Sequence, residues 1–202
     1  MSLIVLATGN PFKVVEIEPL LTAAGFETKL QTDFFLDEVV EDGLSFFENA
    51  LKKARFASAR TGLPALADDS GLEIDALNGA PGIYSARYGC DHTGSTTEEK
   101  NMLQVLDNLG DLPYSQRKAR YTCAAVYVEH ADDPVPLMAI GHWYGEILKE
   151  PKTTFGIGYD PIFWDPKHFR TASQMTLEMK NSISHRAQAV NQVLAQLKQK
   201  NL

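Results

Sequence analysis

Two adjacent carboxylates, Asp68 and Asp69, follow an apolar run (Leu63, Ala65, Leu66, Ala67) and precede a Ser-Gly step in PALADDSGLEID. Neighbouring like charges raise each other's cost of ionisation, and burial raises it further. Something must therefore compensate them. One answer is local: a turn after a strand, in which an Asp side chain bonds the following backbone N–H groups. The other is a hard cation such as magnesium, which takes carboxylate oxygens and usually brings water and substrate phosphates. Successive residues at a strand end point in opposite directions, so one aspartate would face a cleft while the other anchors the loop.

Four further groups could share that chemistry. In TGNPFK, Thr8 to Lys13, a strand–turn–helix junction presents free N–H groups and a positive dipole end, which suits a phosphate. Lys13 lies about one turn into the helix and reaches the same anion, although the P-loop pattern is missing. The plain alternative is a capping Asn10, a turn at Gly9 and a solvated lysine. Glu41 precedes the next helix and is either a surface carboxylate or a partner for the same cation. Glu48 and Lys52 read as an exposed i,i+4 pair. Ser184-His185-Arg186 opens a helix with Lys180 upstream, either as a cap with two exposed polar residues or as an anion site. In GIGYDP, Gly156 and Gly158 admit close backbone approach, Tyr159 offers a stacking face and Asp160 an acceptor.

These residues need elements to hold them. SLIVLATGN predicts a strand entering a turn, with Asn10 capping a helix that has Pro11 at its first position. That helix stops near Gly25, with Pro19 a candidate break within it. ETKLQTD predicts a second strand. Ser45 and Glu48 fit a capping box, and Phe46, Ala50, Ala54 and Ala57 recur at helical spacing up to a stop at Gly62. PALADD predicts a short buried strand, and GAPGIYSARYG a glycine-rich loop. Thr96 and Glu99 form a second capping box for a helix closed by Gly110. RKARYTCAAVYVEH alternates with the period of a strand, and PLMAIGHWYGEIL is its hairpin partner. TTFGIGYDPIFWDP predicts loop. A segment ending at Ser182 and a helix from Ser184 complete a mixed α/β chain.

Composition narrows the function. The chain has 202 residues, 44% hydrophobic and 22% charged, as ordinary globular domains do. A net charge of −7 argues against non-specific nucleic-acid binding. One small polyanion is still accommodated if a divalent cation and a few local lysines and arginines compensate. No apolar run approaches the ~18 residues of a membrane span. The start lacks the basic leader of a signal peptide. Cys90 and Cys123, neither in a C-x-x-C pair, read as reduced thiols of a cytoplasmic protein.

Together and in this order, LATGNPFK, EDGLSFFENALKKA, ADDSGLEIDALNGAPGIYSARY, GYDPIF and SISHRAQA resemble the inosine-triphosphatase-like family of nucleoside triphosphate pyrophosphatases. The resemblance spans nearly the whole chain and implies a single domain over residues 1–202. It implies a central mixed β-sheet flanked by helices, in two lobes with a nucleotide cleft between them, and a homodimer. The implied reaction is magnesium-dependent hydrolysis of dITP, ITP or XTP to the monophosphate and pyrophosphate. By the same resemblance Asp69 is general base and metal ligand, and Glu41 an acidic position near the metal. Thr8, Gly9, Asn10 and Lys13 form the phosphate-binding turn, and Ser70 contacts substrate. Ile157, Gly158, Tyr159, Asp160, Lys180, His185 and Arg186 hold the base and sugar. Asp68 then supports the loop or the metal's surroundings.

Two positions depart from that family. Ile157 stands where Phe is usual, which removes a base stack worth roughly 1–3 kcal/mol. Weaker nucleotide affinity is expected, or compensation from Phe155 or Tyr159. Asp42 stands where Thr commonly precedes the glycine. A donor such as His185, Arg186 or a backbone N–H would donate to the 6-oxo group of hypoxanthine or xanthine and reject adenine. The competing readings are a phosphatase releasing orthophosphate, for which D-x-D-x-[TV] is missing, and a nucleotide-binding module without turnover.

Overall fold

The computed structural model describes residues 3–90, 94, 96–153 and 156–200. Seven strands form one sheet: β1 (Leu3–Leu6), β2 (Glu27–Leu30), β3 (Ala65–Ile74), β4 (Lys118–Val128), β5 (Leu137–Ile147), β6 (Phe163–Asp165) and β7 (Arg170–Thr171), in the order β2-β1-β3-β4-β5-β6-β7. β1 pairs in parallel with β2 and β3, whereas β5–β6 and β6–β7 are antiparallel. The sheet is mixed, as expected. The helices are α1 (Pro11–Ala23), α2 (Phe46–Thr61), α3 (Glu98–Leu109), α4 (Leu177–Ile183) and α5 (His185–Lys200). The chain forms two compact units, Met1–Asp69 with Cys123–Gly141 and Asn181–Leu202, and Ser70–Thr122 with His142–Lys180.

In the first unit, period-two burial sorts the strand residues into two cores. Ile4, Leu6, Leu66, Cys123 and Ala125 pack with Ile17 and Leu21 of α1 and Val190, Val193 and Leu194 of α5. Val5, Ala7, Ala65, Ala67, Val126 and Val128 pack with Ala50, Ala54 and Ala57 of α2. Burial on both faces explains why β3 is apolar at consecutive positions. β3 also runs on through Asp68-Asp69-Ser70-Gly71, so the turn considered for those residues does not form.

Local signals place the helix ends. Asn10 Oδ1 accepts from Phe12 N at 2.9 Å, with Pro11 first in α1. α1 continues through the candidate break at Pro19. The carbonyl that Pro19 releases is that of Val15, an exposed residue. Ser45 accepts from Glu48 N at 3.2 Å, and Gly62 ends α2 with φ +69°. The Glu48 carboxylate turns back to Leu44 N at 2.6 Å and to the Ser45 hydroxyl at 3.1 Å. Lys52 pairs with Asp42 instead, so the expected Glu48–Lys52 pair is replaced. Of the second expected strand, only Glu27–Leu30 is extended, and Gln31–Asp33 form a 3₁₀ turn.

In the second unit, Thr97 rather than Thr96 caps α3, accepting from Lys100 N at 3.1 Å. The capping threonine is thus one residue later than expected. Gly82–Arg87 is a 3₁₀ turn where loop was expected, and Phe163–Asp165 is a strand. Tyr121, Trp143 and Phe163 form an aromatic cluster with centroids 4.5–6.2 Å apart. Arg117 is fully buried and donates to the carbonyls of Gly110, Ile147 and Leu148 at 2.8–3.0 Å.

Gly141 decides how closely α5 approaches β5 in the first unit. A Cβ there would fall 2.1 Å from the His185 carbonyl oxygen and 2.8 Å from Ala189 N. Gly141→Ala must therefore push α5 off the strand, and overpacking of this kind costs about 1–3 kcal/mol or more. A thermal melt should show a clear loss of stability; an unchanged melting temperature would refute the close contact.

Candidate active site

The turn at the end of β1 keeps the geometry of a helix entry. Asn10 N donates to Thr8 Oγ1 at 3.1 Å, and Thr8 is half-buried while Gly9 and Asn10 are exposed. Gly9 faces a carboxylate: a Cβ built on it would sit 3.1 Å from Glu38 Oε1. From the first turn of α1, Lys13 reaches Asp68, with Nζ 3.0 Å from Oδ2 and 3.3 Å from the main-chain oxygen.

Alternation along β3 separates the two aspartates. Asp68 shares the face of Leu66, toward α1 and α5, and Asp69 shares the face of Ala65 and Ala67, toward α2. The Asp68 side chain is 0% exposed. Its Oδ2 accepts from Lys13 and from Arg186 Nε at 3.1 Å, and Arg186 also pairs with Glu16. Burial alone would push the Asp68 carboxyl up, but Lys13, Arg186 and Lys53 together hold it well below the usual carboxylate range. Cys123 Sγ lies 3.8 Å from the same oxygen. Burial, and then the charge of Asp68, push that thiol up and keep it protonated at neutral pH.

Asp69 has different neighbours. Asn49 Nδ2 donates to its Oδ2 at 3.2 Å, and Lys53 Nζ lies 3.3 Å from Oδ1. Lys53 also meets Glu41 Oε1 at 2.9 Å, so one ammonium bridges the two carboxylates. Burial is the largest influence on Asp69 and raises its pKa, with Lys53 and Lys13 opposing and Glu41 adding to the rise. Asn49 Oδ1 accepts from Gly43 N at 2.8 Å, which ties the segment carrying Glu41 to the strand carrying Asp69. A Cβ at Gly43 would meet Asn49 Oδ1 at 2.6 Å, so the segment depends on glycine there. Asn49 and Lys53 were not singled out from sequence. Their four-residue spacing, one turn apart on α2, was the signal available.

A magnesium ion fits this donor set. Glu41 and Asp69 already converge on one positive group, and both offer hard oxygens. Among the described residues no three His, Cys, Asp or Glu side chains gather around one point. Two carboxylates suffice for an ion that keeps water and substrate phosphate in its remaining positions.

The other candidates divide between the units. In the first, His185 is buried and the Arg186 side chain is 12% exposed, so neither is the exposed residue of the plain reading. Ser184 does cap α5, accepting from Ala187 N at 3.2 Å. In the second, Ser70 is half-buried, and Ile157 to Asp160 form a turn closed by Asp160 N to Ile157 O at 3.0 Å. Tyr159 is 5% exposed and its hydroxyl donates to the Ser85 carbonyl at 2.7 Å. Its ring is therefore packed away and is not the open stacking face expected. Asp160 accepts from Tyr121 Oη at 3.0 Å and from Lys180 Nζ at 2.8 Å. Ile157 is half-buried, and Phe155 lies outside the described residues.

The mixed sheet and the lysine-balanced carboxylates beside a strand–turn–helix junction define an α/β protein with a site suited to a polyanion and a hard cation. Residues 4–196 match the model of the Ham1 family, and the chain belongs to that family. It is 50% identical to a Shigella flexneri protein and 49% identical to one from Escherichia coli strain K12, each named dITP/XTP pyrophosphatase. Both matches cover 98% of this chain and 99% of the relative. Among solved structures, a HAM1 protein from Coxiella burnetii is 44% identical with a TM-score of 0.87, covering 98% of this chain and all of that one. The Staphylococcus aureus Ham1 protein is 34% identical with a TM-score of 0.83 over the same shares.

Removing the Asp68 charge leaves Lys13 and Arg186 buried with less to balance them. Asp68→Asn is expected to cost about 3–5 kcal/mol of stability at neutral pH, measured by urea unfolding. Because the folded pKa is depressed, the stabilisation is present above the unfolded value of 3.8 and is lost only as pH falls toward the folded one. The difference between wild type and variant should therefore persist at mildly acidic pH.

Proposed function

We propose that this chain hydrolyses deaminated-purine nucleoside triphosphates, dITP, XTP and ITP, to the monophosphate and pyrophosphate in the presence of magnesium. The observation that carries the reading is the convergence of Glu41, Asp69 and Lys53, held by Asn49, on the strand that also anchors Lys13. Family membership and the names of its relatives supply the reaction class.

Water attacks the α-phosphorus, the bond to the oxygen bridging the α- and β-phosphates breaks, and pyrophosphate leaves. Asp69 takes the proton of the attacking water. Burial raises its pKa above that of an ordinary aspartate in the metal-free site. Asn49 fixes the carboxylate's orientation through Oδ2. Thr8, Gly9 and Asn10 offer the α1 N-terminus to the phosphates, and Lys13 adds a point charge beside them. Glu41 and Asp69 would hold the magnesium ion, which supplies neutralisation of charge on the triphosphate and its leaving group. Asp68 and Arg186 keep that end of β3 in place. The base and sugar fall to Ile157, Gly158, Asp160, Lys180, His185 and Arg186 and to the backbone of Tyr159, with Ser70 a further contact. We also propose a homodimer in the cytoplasm. The free thiols at Cys90 and Cys123 agree with that compartment. No helix among the described residues is long and apolar enough to cross a membrane.

A panel of nucleoside triphosphates with magnesium should give pyrophosphate and monophosphate from dITP, XTP and ITP in preference to ATP. Release of orthophosphate, or no turnover, would refute the reading. Asp69→Asn should lower kcat by at least about 100-fold while nucleotide binding stays measurable by calorimetry. Near-normal turnover in that variant would remove Asp69 from the mechanism.

A further inference from the structure

The turn Ile157–Asp160 is held at three points. Its closing hydrogen bond runs from Asp160 N to Ile157 O at 3.0 Å, which makes Gly158 and Tyr159 its two central residues. Tyr159 is fixed through its hydroxyl on the Ser85 carbonyl, and Asp160 through Tyr121 and Lys180. Gly158 adopts φ +57°, a left-handed conformation that suits glycine. As the first central residue, it directs its N–H away from the turn, where the turn's own hydrogen bond gives it no partner. Glu98 supplies one: Gly158 N donates to Glu98 Oε2 at 3.0 Å, across sixty positions of sequence.

Glu98 is well placed to be rigid. It is the first residue of α3, directly after the capping Thr97, and a carboxylate is favoured in a first helical turn. Glu98 and Gly158 also line one cavity of about 580 Å³, together with Glu99, Lys152 and Pro161, within the range of small-molecule sites.

We propose that Glu98 is a positioning residue for nucleotide binding, setting the backbone of Gly158 and so the turn that holds the base. This rests on the functional reading above, in which Ile157 to Asp160 contact the nucleotide. Glu98 itself takes no part in bond breaking. Losing it loosens the turn and weakens binding of substrate, while Asp69, Lys13 and Lys53 keep their own partners.

The test uses the full chain with Glu98→Ala and Glu98→Gln. Glutamine keeps an acceptor oxygen for the Gly158 N–H and removes the charge. With dITP and magnesium, Glu98→Ala should raise KM roughly five-fold, the order expected for one lost solvent-exposed hydrogen bond, with kcat within two-fold. Glu98→Gln should return KM to within two-fold of wild type. Hydrogen exchange should show faster exchange across residues 157–160 in the alanine variant alone, with the melting temperature of the whole chain unchanged. An unchanged KM in Glu98→Ala, no rescue by glutamine, or equal exchange rates would each overturn the proposal. Wild-type protein that releases no pyrophosphate from dITP would instead remove the functional reading on which it rests, whereas active wild type with an indifferent Glu98→Ala sinks the role of Glu98 alone.

Discussion

The carboxylate of Asp68 has no contact with solvent, and the rest of the site follows from how it is balanced. A lone buried charge of this kind is not tolerated, so cations must come to it. Lys13 comes from α1 and Arg186 from α5, and both meet at Oδ2. The ion pairs thus fasten two helices to the middle of one strand, beside the turn at residues 8–10 that enters α1. Arg186 carries Glu16 as well, so α1 is gripped twice. Hydrophobic contacts between α1, α5 and the sheet bring these elements together, and the charged cluster sets where along the strand they stop.

One residue further on, the same pleat produces the opposite outcome. Asp69 faces α2, retains slight exposure, and is met by a lysine shared with Glu41 and by an asparagine. The two neighbours therefore differ in their direct ion-pair partners, Lys13 and Arg186 for Asp68 and Lys53 for Asp69, while the fields of Lys13 and Lys53 act on both. Asp68 is held ionised for structure, and Asp69 is held as a more basic group at the rim. This separation answers why adjacent carboxylates are affordable in a nearly apolar strand.

Much of this was legible in the residues because it is local. Asn10-Pro11, Ser45 with Glu48, and the glycines at 62 and 110 mark helix ends through short-range hydrogen bonds and backbone angles, and those ends fell where expected. The start of α3 slipped by one because Thr96 and Thr97 are equally able caps, and only the tertiary position chooses. β3 outran its expected length because residues buried on both faces leave no alternation to count. The salt-bridge partners were the least legible. Lys52 sits four residues from Glu48, a spacing that favours pairing, yet Glu48 is drawn to the helix N-terminus and Lys52 to Asp42. Lys53 and Asn49 owe their importance to Glu41, Gly43 and Asp69, and nothing in a helix's own pattern reports such distant neighbours.

The ammonium of Lys53 has a consequence for the order of events. It stands where Glu41 and Asp69 converge, so the metal ion proposed for that place would compete with a tethered rival for the same oxygens. On the proposed function, a lysine displaced from there would turn to the triphosphate for negative charge. On the proposed function, metal and nucleotide would then favour each other's binding, and free magnesium on its own would gain little foothold.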